Sequence, residues 1–523
     1  MAKQGMPLRA FATINHIQRQ NGVKLISGCS DSKAARKFLG FIASAAMNKI
    51  REYISESAAF NLLSDGSQAR KTNEEKELVL VRIFDEQSNK VRYFTVGLLD
   101  IDGDATAGNI KNAIDKCMVE TLELREEVYI EKLVACTADG ASVNFGAYNG
   151  MLTKFKENRP WLLTFHCTAH RFELALKDSL AKCQRFKDIR DLLGNLFSVF
   201  NNSGKLKKHF YEVGSSYDIQ LCNTPKVAGT RFVSHTRNAV DCVLKNWAGH
   251  ILNFEDYITT PSCNSNLKAK LKGILKKLKS PEFLRSVAVV KLLLDVLAEM
   301  SLITEKKDLF IHDIESSIQS CLDDLNALSI NDEATSSLLN KYGLQLVSQN
   351  KDSDIDASDD DESSQSVLLA NITKKGHQKK KPANRETVEL SVAMHLPNNS
   401  HEWSGDEVKR DIVEAINNRF SADFADDLLQ GFSFLDPATW GDTYHQTYEK
   451  IKKIMEHFHT TLDQDGFSRS LVKAEFKALF REANTTFSGQ SPERMWTNVF
   501  SRRKTKYRNL LRVVSLGLAL GVC

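Results

Sequence analysis

LVLVRIFDEQSNKVRYFTVGLL, residues 78–99, decides the fold. Its two halves, LVLVRIF (78–84) and VRYFTVGLL (91–99), are rich in Val, Phe and Tyr, and the short EQSNK between them suits a hairpin turn. Upstream, AAFNLLS (58–64) is a short apolar run that ends at Asp65-Gly66. Further upstream, Phe38, Phe41, Ile42, Ala45, Ala46, Ile50, Tyr53 and Ile54 recur at helical spacing and predict a helix over 33–57. Downstream comes a helical stretch at about 105–124, then KLVACTA (132–138), a second apolar run closed by Asp139-Gly140. A helix is expected over 145–157, a strand in WLLTFH (161–166) and a helix in CTAHRFELALKDSL (167–180). A hairpin followed by strands alternating with helices predicts a mixed α/β sheet. In such sheets ligands gather at the carboxyl ends of strands, and Asp65 and Asp139 are expected there.

Beyond residue 186 the pattern changes. FKDIRDLLGNLFSVFNNSGKLKKHF (186–210), VAVVKLLLDVLAEM (287–300) and DLFIHDIESSIQSCLDDLNAL (308–328) have helical periodicity, and strand signals are scarce. The acidic KDSDIDASDDDESS (351–364) beside the basic KKGHQKKKPANR (374–385) lacks the apolar surface to order itself, so a disordered loop is expected at about 350–385. This divides the chain into an N-terminal helical segment (1–57), an α/β core (58–185), a mainly helical domain (186–510) and the start of a further segment (511–523).

Bulk properties exclude little. The 523 residues carry a net charge of only +4, so any basic footprint is local rather than global. Ten cysteines form no CxxC pair and no apolar leader opens the chain, which suits a reduced, intracellular protein. The apolar run VVSLGLALGVC (513–523) is about half of the ~20 residues a membrane helix needs, so it reads as a core helix and no membrane contact is expected.

Four features carry possible chemistry. Asp65 and Asp139 could supply hard carboxylate oxygens to a divalent ion such as Mg²⁺, although Asp-Gly is also a common turn dipeptide. Cys167 and His170, three apart, share a helix face, but no second Cys/His pair lies near enough to complete a zinc site. In AGTRFVSHTRNAV (228–240), Thr230, Arg231, Ser234, His235 and Arg237 surround Phe232. That suits phosphate contact with base stacking, or equally a buried ring under a solvated face. NLKAKLKGILKKLK (266–279) is a basic amphipathic helix, either a solvated face or a DNA-backbone contact.

FNLLSDGSQARKTNEEKELVLVRI (60–83), VACTADGASVNFGAYNGM (134–151), FHCTAHRFELALKD (165–178) and AGTRFVSHTRNAV together resemble the hAT transposase superfamily, especially domesticated members such as the zinc finger protein 862-like group. The DGAxVN…CxAHRxELA combination is the specific part. The resemblance implies an RNase-H-like α/β core split by a large, mainly α-helical insertion, and a DDE triad holding Mg²⁺. Carried over by motif, Asp65 would be the first catalytic acid and metal ligand, Asp139 the second, and Cys167 and His170 the near-site CxxH pair. Arg231, Phe232, His235 and Arg237 would face DNA, with Phe232 where the family has tryptophan. The family's N-terminal zinc finger has no counterpart here. Its third acid and dimerisation helices are expected after a helix like NLLRVVSLGLALGVC, where this chain reaches Cys523; Glu493-Arg494 precedes that helix and is not assigned the role. The expectation is a nuclear, transposase-derived, DNA-binding or regulatory protein without catalysis. An active Mg²⁺-dependent transposase represented by an incomplete chain, or a protein-interaction scaffold in transcription, are the alternatives.

Overall fold

The computed structural model describes residues 2–26, 28–68, 74–217, 221–227, 231–306, 309–349, 365–375, 385–394, 403–464, 466–483 and 485–521. The chain forms two units: residues 1–167 with 307–312 and 426–523, and residues 168–306 with 313–425.

The first unit is built on a five-stranded mixed sheet. Its strands are β1 (Phe60–Gln68), β2 (Glu75–Asp85), β3 (Lys90–Asp100), β4 (Leu133–Ala138) and β5 (Leu163–His166), in the order β3-β2-β1-β4-β5. β1, β2 and β3 pair antiparallel, whereas β4 and β5 continue from β1 in parallel. The hairpin turn is fixed by Asp85, whose carboxylate accepts from the Gln87 and Ser88 amides, the Ser88 hydroxyl and Arg92. Those bonds outweigh burial and hold the Asp85 carboxyl below the usual carboxylate range.

Strand alternation assigns the two faces of the sheet. Phe60, Leu62, Val79, Val81 and Ile83 point into the main core, against Ile110 and Ile114 of the helix Ala107–Lys116 and Met151, Leu152 and Phe155 of the helix Met151–Lys156. Asn61, Leu63 and Asp65 point to the other face. There the helix Arg508–Ala519 comes in from the far end of the chain. Asn61 Nδ2 and Thr137 Oγ1 both donate to the Gly521 carbonyl, each at 2.6 Å. Arg82, 1% exposed, donates to the Leu309 carbonyl, the Leu518 carbonyl and the Tyr93 hydroxyl.

The second unit is mainly helical. Its largest buried helix, Pro281–Thr304, packs against the helices Phe232–Lys245 and Thr168–Lys182. His250 is wholly buried among Phe200, Phe210 and Phe254, and burial alone lowers its pKa to about 3, so the imidazole is neutral at physiological pH.

Three expectations change. The helical unit begins at Thr168 rather than 186, and the chain rejoins the first unit at Asp426 rather than about 511. The first of these boundaries follows directly on β5, and the second falls between helices. β1 extends through Asp65-Gly66 to Gln68 because β2, beginning at Glu75, continues the ladder past the dipeptide. Within the region expected as a loop, Gln365–Lys375 (β7) pairs antiparallel with Leu344–Gln349 (β6) and Arg385–Ala393 (β8). The short apolar run VLLA (367–370) and the alternating TVELSVA (387–393) supply that signal beside the charged blocks. Residues 350–364 and 376–384, where most of the expected disorder was placed, lie outside the described residues. Among the described residues no helix is long and apolar enough to cross a membrane.

Candidate metal centre

Asp65 lies on the central strand of the first unit, three residues before its end. It pairs with Leu78 of β2 and is exposed. On the other side, Leu63 is in register with Thr137 of β4. Asp65 and Asp139 each follow that pair by two residues, Asp65 still within β1 and Asp139 just past the end of β4. Asp139 opens the turn after β4. Its Oδ1 accepts from the Ala141 amide at 3.2 Å and Asn144 Nδ2 at 2.7 Å, which fixes the side chain at the strand end.

Gly140 is required by its neighbour. Ala138 is in register with His166 of β5, and the His166 ring lies where a Cβ on Gly140 would fall. His166 also meets the Phe145 ring at 5.6 Å, closing the end of the sheet. The motif Asp139-Gly140 is therefore a turn, but one held between an asparagine and an imidazole.

A cleft of about 940 Å³ opens beside Asp139 at this end of the sheet. Among the described residues its lining carries six carboxylates, from Glu74, Glu75, Glu77, Asp100, Asp104 and Asp139, and one ammonium, that of Lys76. Lys76 is itself paired with Asp100 and Glu74. The cleft thus attracts cations and repels an unscreened phosphate.

Glu77 is the site residue that motif reading missed. It lies opposite Gly66, is buried, and accepts a hydrogen bond from the Ser64 hydroxyl. Burial chiefly raises its pKa, with the Asp65 and Asp139 charges adding to the effect. Alternation places it on the core face with Val79, opposite to Asp65. The available signal was its phase: in EKELVLVRI, Glu77 falls in step with Val79, Val81 and Ile83, the buried set.

Of the remaining candidates, Cys167 lies beside the end of β4 and the others belong to the second unit. Cys167 ends the first unit, its amide donating to the Ala138 carbonyl at 2.9 Å, and His170 belongs to the first turn of the second. In the second unit Phe232 is buried edge-to-face against Phe186 at 5.8 Å. Arg231 pairs with Glu305 at 3.2 Å, and Arg237 with Asp295 at 2.6 Å. His235 is half-buried on the same helix; Thr230 lies outside the described residues. On the helix Ser265–Leu278, Leu271, Ile274, Leu275 and Leu278 are buried. Lys268, Lys272 and Lys276 form an exposed stripe at four-residue spacing, and among the described residues none of the three is held in an ion pair.

No protein-family model matches the chain.

Proposed function

We propose that this is a transposase-derived, nuclear DNA-binding protein whose first unit is an RNase-H-like core retaining an ancestral divalent-metal site at Asp65 and Asp139. The observation that carries this reading is that Asp65, within β1, and Asp139, just past the end of its parallel neighbour β4, both lie two residues beyond the last registered pair Leu63–Thr137. The second support is the motif resemblance, and the third is the interruption of the sheet-bearing unit by a helical one.

The donor set fits a small hard cation. Both groups are carboxylates, the Ala141 and Asn144 bonds to the Asp139 carboxylate fall on Oδ1, and the cleft beside Asp139 is acidic. Mg²⁺ is commonly held by one or two protein carboxylates, with water completing the shell. Bound there, a divalent ion supplies positive charge where a phosphodiester would otherwise be repelled. Asp65 and Asp139 would hold it, with Asn144 orienting Asp139 and Gly140 with His166 fixing the turn.

DNA affinity is assigned to the lysine stripe. Like charges four residues apart cost the helix a few tenths of a kcal/mol per pair, offset by its buried leucine face. Such a stripe neutralises phosphates and releases counterions, so affinity for duplex DNA should fall steeply with salt. Replacing Lys268, Lys272 and Lys276 with alanine should flatten the slope of log K against log salt by roughly 3. Fluorescence anisotropy of a labelled duplex across a salt series measures it. Salt-independent binding, or no binding at low salt, rejects the DNA-binding reading.

A further inference from the structure

Cys222 and Cys242 belong to the second unit, on segments that carry neither the two aspartates nor the lysine stripe. Cys222 lies in the stretch 221–227 that leads towards the helix Phe232–Lys245, and Cys242 lies on that helix. Their sulfurs are 2.7 Å apart, nearer than two thiols sit by packing alone and not far above the ~2.05 Å of a disulfide bond. Asn246 holds them together. Its Nδ2 donates to the Cys222 carbonyl at 2.7 Å, its Oδ1 accepts from the Cys222 amide at 3.3 Å, and the same Nδ2 is 3.3 Å and 3.4 Å from the two sulfurs. Both backbone polar groups of Cys222 are therefore anchored to the helix that carries Cys242. Cys222 is half-buried and Cys242 is buried, so a small oxidant reaches Cys222 first.

We propose that Cys222 and Cys242 form a peroxide-oxidisable dithiol site whose product is an intramolecular disulfide. The Cys222 thiolate attacks one oxygen of hydrogen peroxide, the O–O bond breaks, hydroxide leaves, and Cys222 becomes a sulfenic acid. The Cys242 sulfur then attacks the Cys222 sulfur, the S–O bond breaks, and water leaves with the Cys242 proton. Two thiols are oxidised by two electrons and one peroxide is reduced to two waters. The hydrogen bond from Cys242, with help from Asn246 and the Lys245 charge, brings the Cys222 thiol down to about 6 against its burial, so thiolate is available at neutral pH. The disulfide ties the stretch 221–227 to the helix that opens beside Arg231.

The test treats the reduced full chain with one equivalent of hydrogen peroxide, alkylates under denaturing conditions and maps peptides by mass spectrometry. A Cys222–Cys242 disulfide should appear about tenfold faster than oxidation of the exposed Cys29, and dithiothreitol should reverse it. In Cys242→Ser the reaction should stop at Cys222 sulfenic acid, trapped by dimedone. The proposal is overturned if both thiols remain alkylatable after Cys29 has reacted, or if wild type accumulates the dimedone adduct without the disulfide.

Discussion

Arg82→Ala should destabilise the first unit by about 4 kcal/mol, more than any single surface change. Arg82 is 1% exposed and gathers three distant parts of the chain. Its guanidinium donates to Tyr93 Oη at 2.8 Å on β3, to the Leu309 carbonyl at 3.0 Å and to the Leu518 carbonyl at 3.3 Å. It also lies 5.4 Å from the Phe310 ring centre and 5.5 Å from that of Tyr93. Truncation leaves these acceptors without their donor, at roughly 1–3 kcal/mol for each buried group, and opens a cavity besides. Arg82→Met fills most of the volume but restores no donor, so it should recover only the cavity share. Urea unfolding followed by tryptophan fluorescence reads both variants. A loss below about 1 kcal/mol for Arg82→Ala would mean that the Arg82 hydrogen bonds add little to what holds the helix Arg508–Ala519 to the sheet.

The second large effect is expected at Glu173 in the helical unit. Glu173 is buried; its Oε2 accepts from the Val233 amide at 3.0 Å and its Oε1 from the Ser301 hydroxyl at 3.1 Å. The helix Phe232–Lys245 has no side-chain cap of its own at Arg231, so Glu173 supplies the missing acceptor from another helix. Glu173→Ala should cost about 3 kcal/mol, from the lost cap and the donors left unmet. Burial is the largest influence on its carboxyl and raises the pKa, while the bonds from Val233 and Ser301 oppose it. A carboxyl raised on folding binds its proton more tightly in the folded state. Its contribution to stability is therefore present at low pH and is lost as pH rises from the ordinary carboxylate value through the raised one. Glu173→Gln keeps an acceptor and should cost less than alanine while removing that decline. Thermal melts from pH 4 to 8 test it; a Gln variant that retains the full wild-type pH slope would assign the slope to another group.

Glu173 belongs to FHCTAHRFELALKD, and the amide it caps belongs to AGTRFVSHTRNAV. Two segments that looked like separate chemical motifs are thus joined by a structural contact, and Phe232 between them is a core ring. Residue types alone could not show this, because the acid and the amide it caps are 60 positions apart. The strands were legible where runs rich in Val, Phe and Tyr flank a short polar turn, as in LVLVRIF and VRYFTVGLL. Asp139-Gly140 was legible as a turn. Asp65-Gly66 was not, since the same dipeptide sits inside an antiparallel ladder that only the partner strand specifies. The return of 426–523 to the sheet was equally hidden. It depends on Arg82, Asn61 and Thr137 reaching the carbonyls of Leu518 and Gly521, and no local pattern announces those bonds.

The proposed function requires Asp65 and Asp139 to act as one metal site. Counting free Mn²⁺ by electron paramagnetic resonance during titration of the full chain tests it without reference to activity. Wild type should bind Mn²⁺ saturably, Mg²⁺ should compete, and Asp65→Ala and Asp139→Ala should each weaken binding by about tenfold or more. Equal Mn²⁺ affinity in wild type and both variants would contradict the assignment.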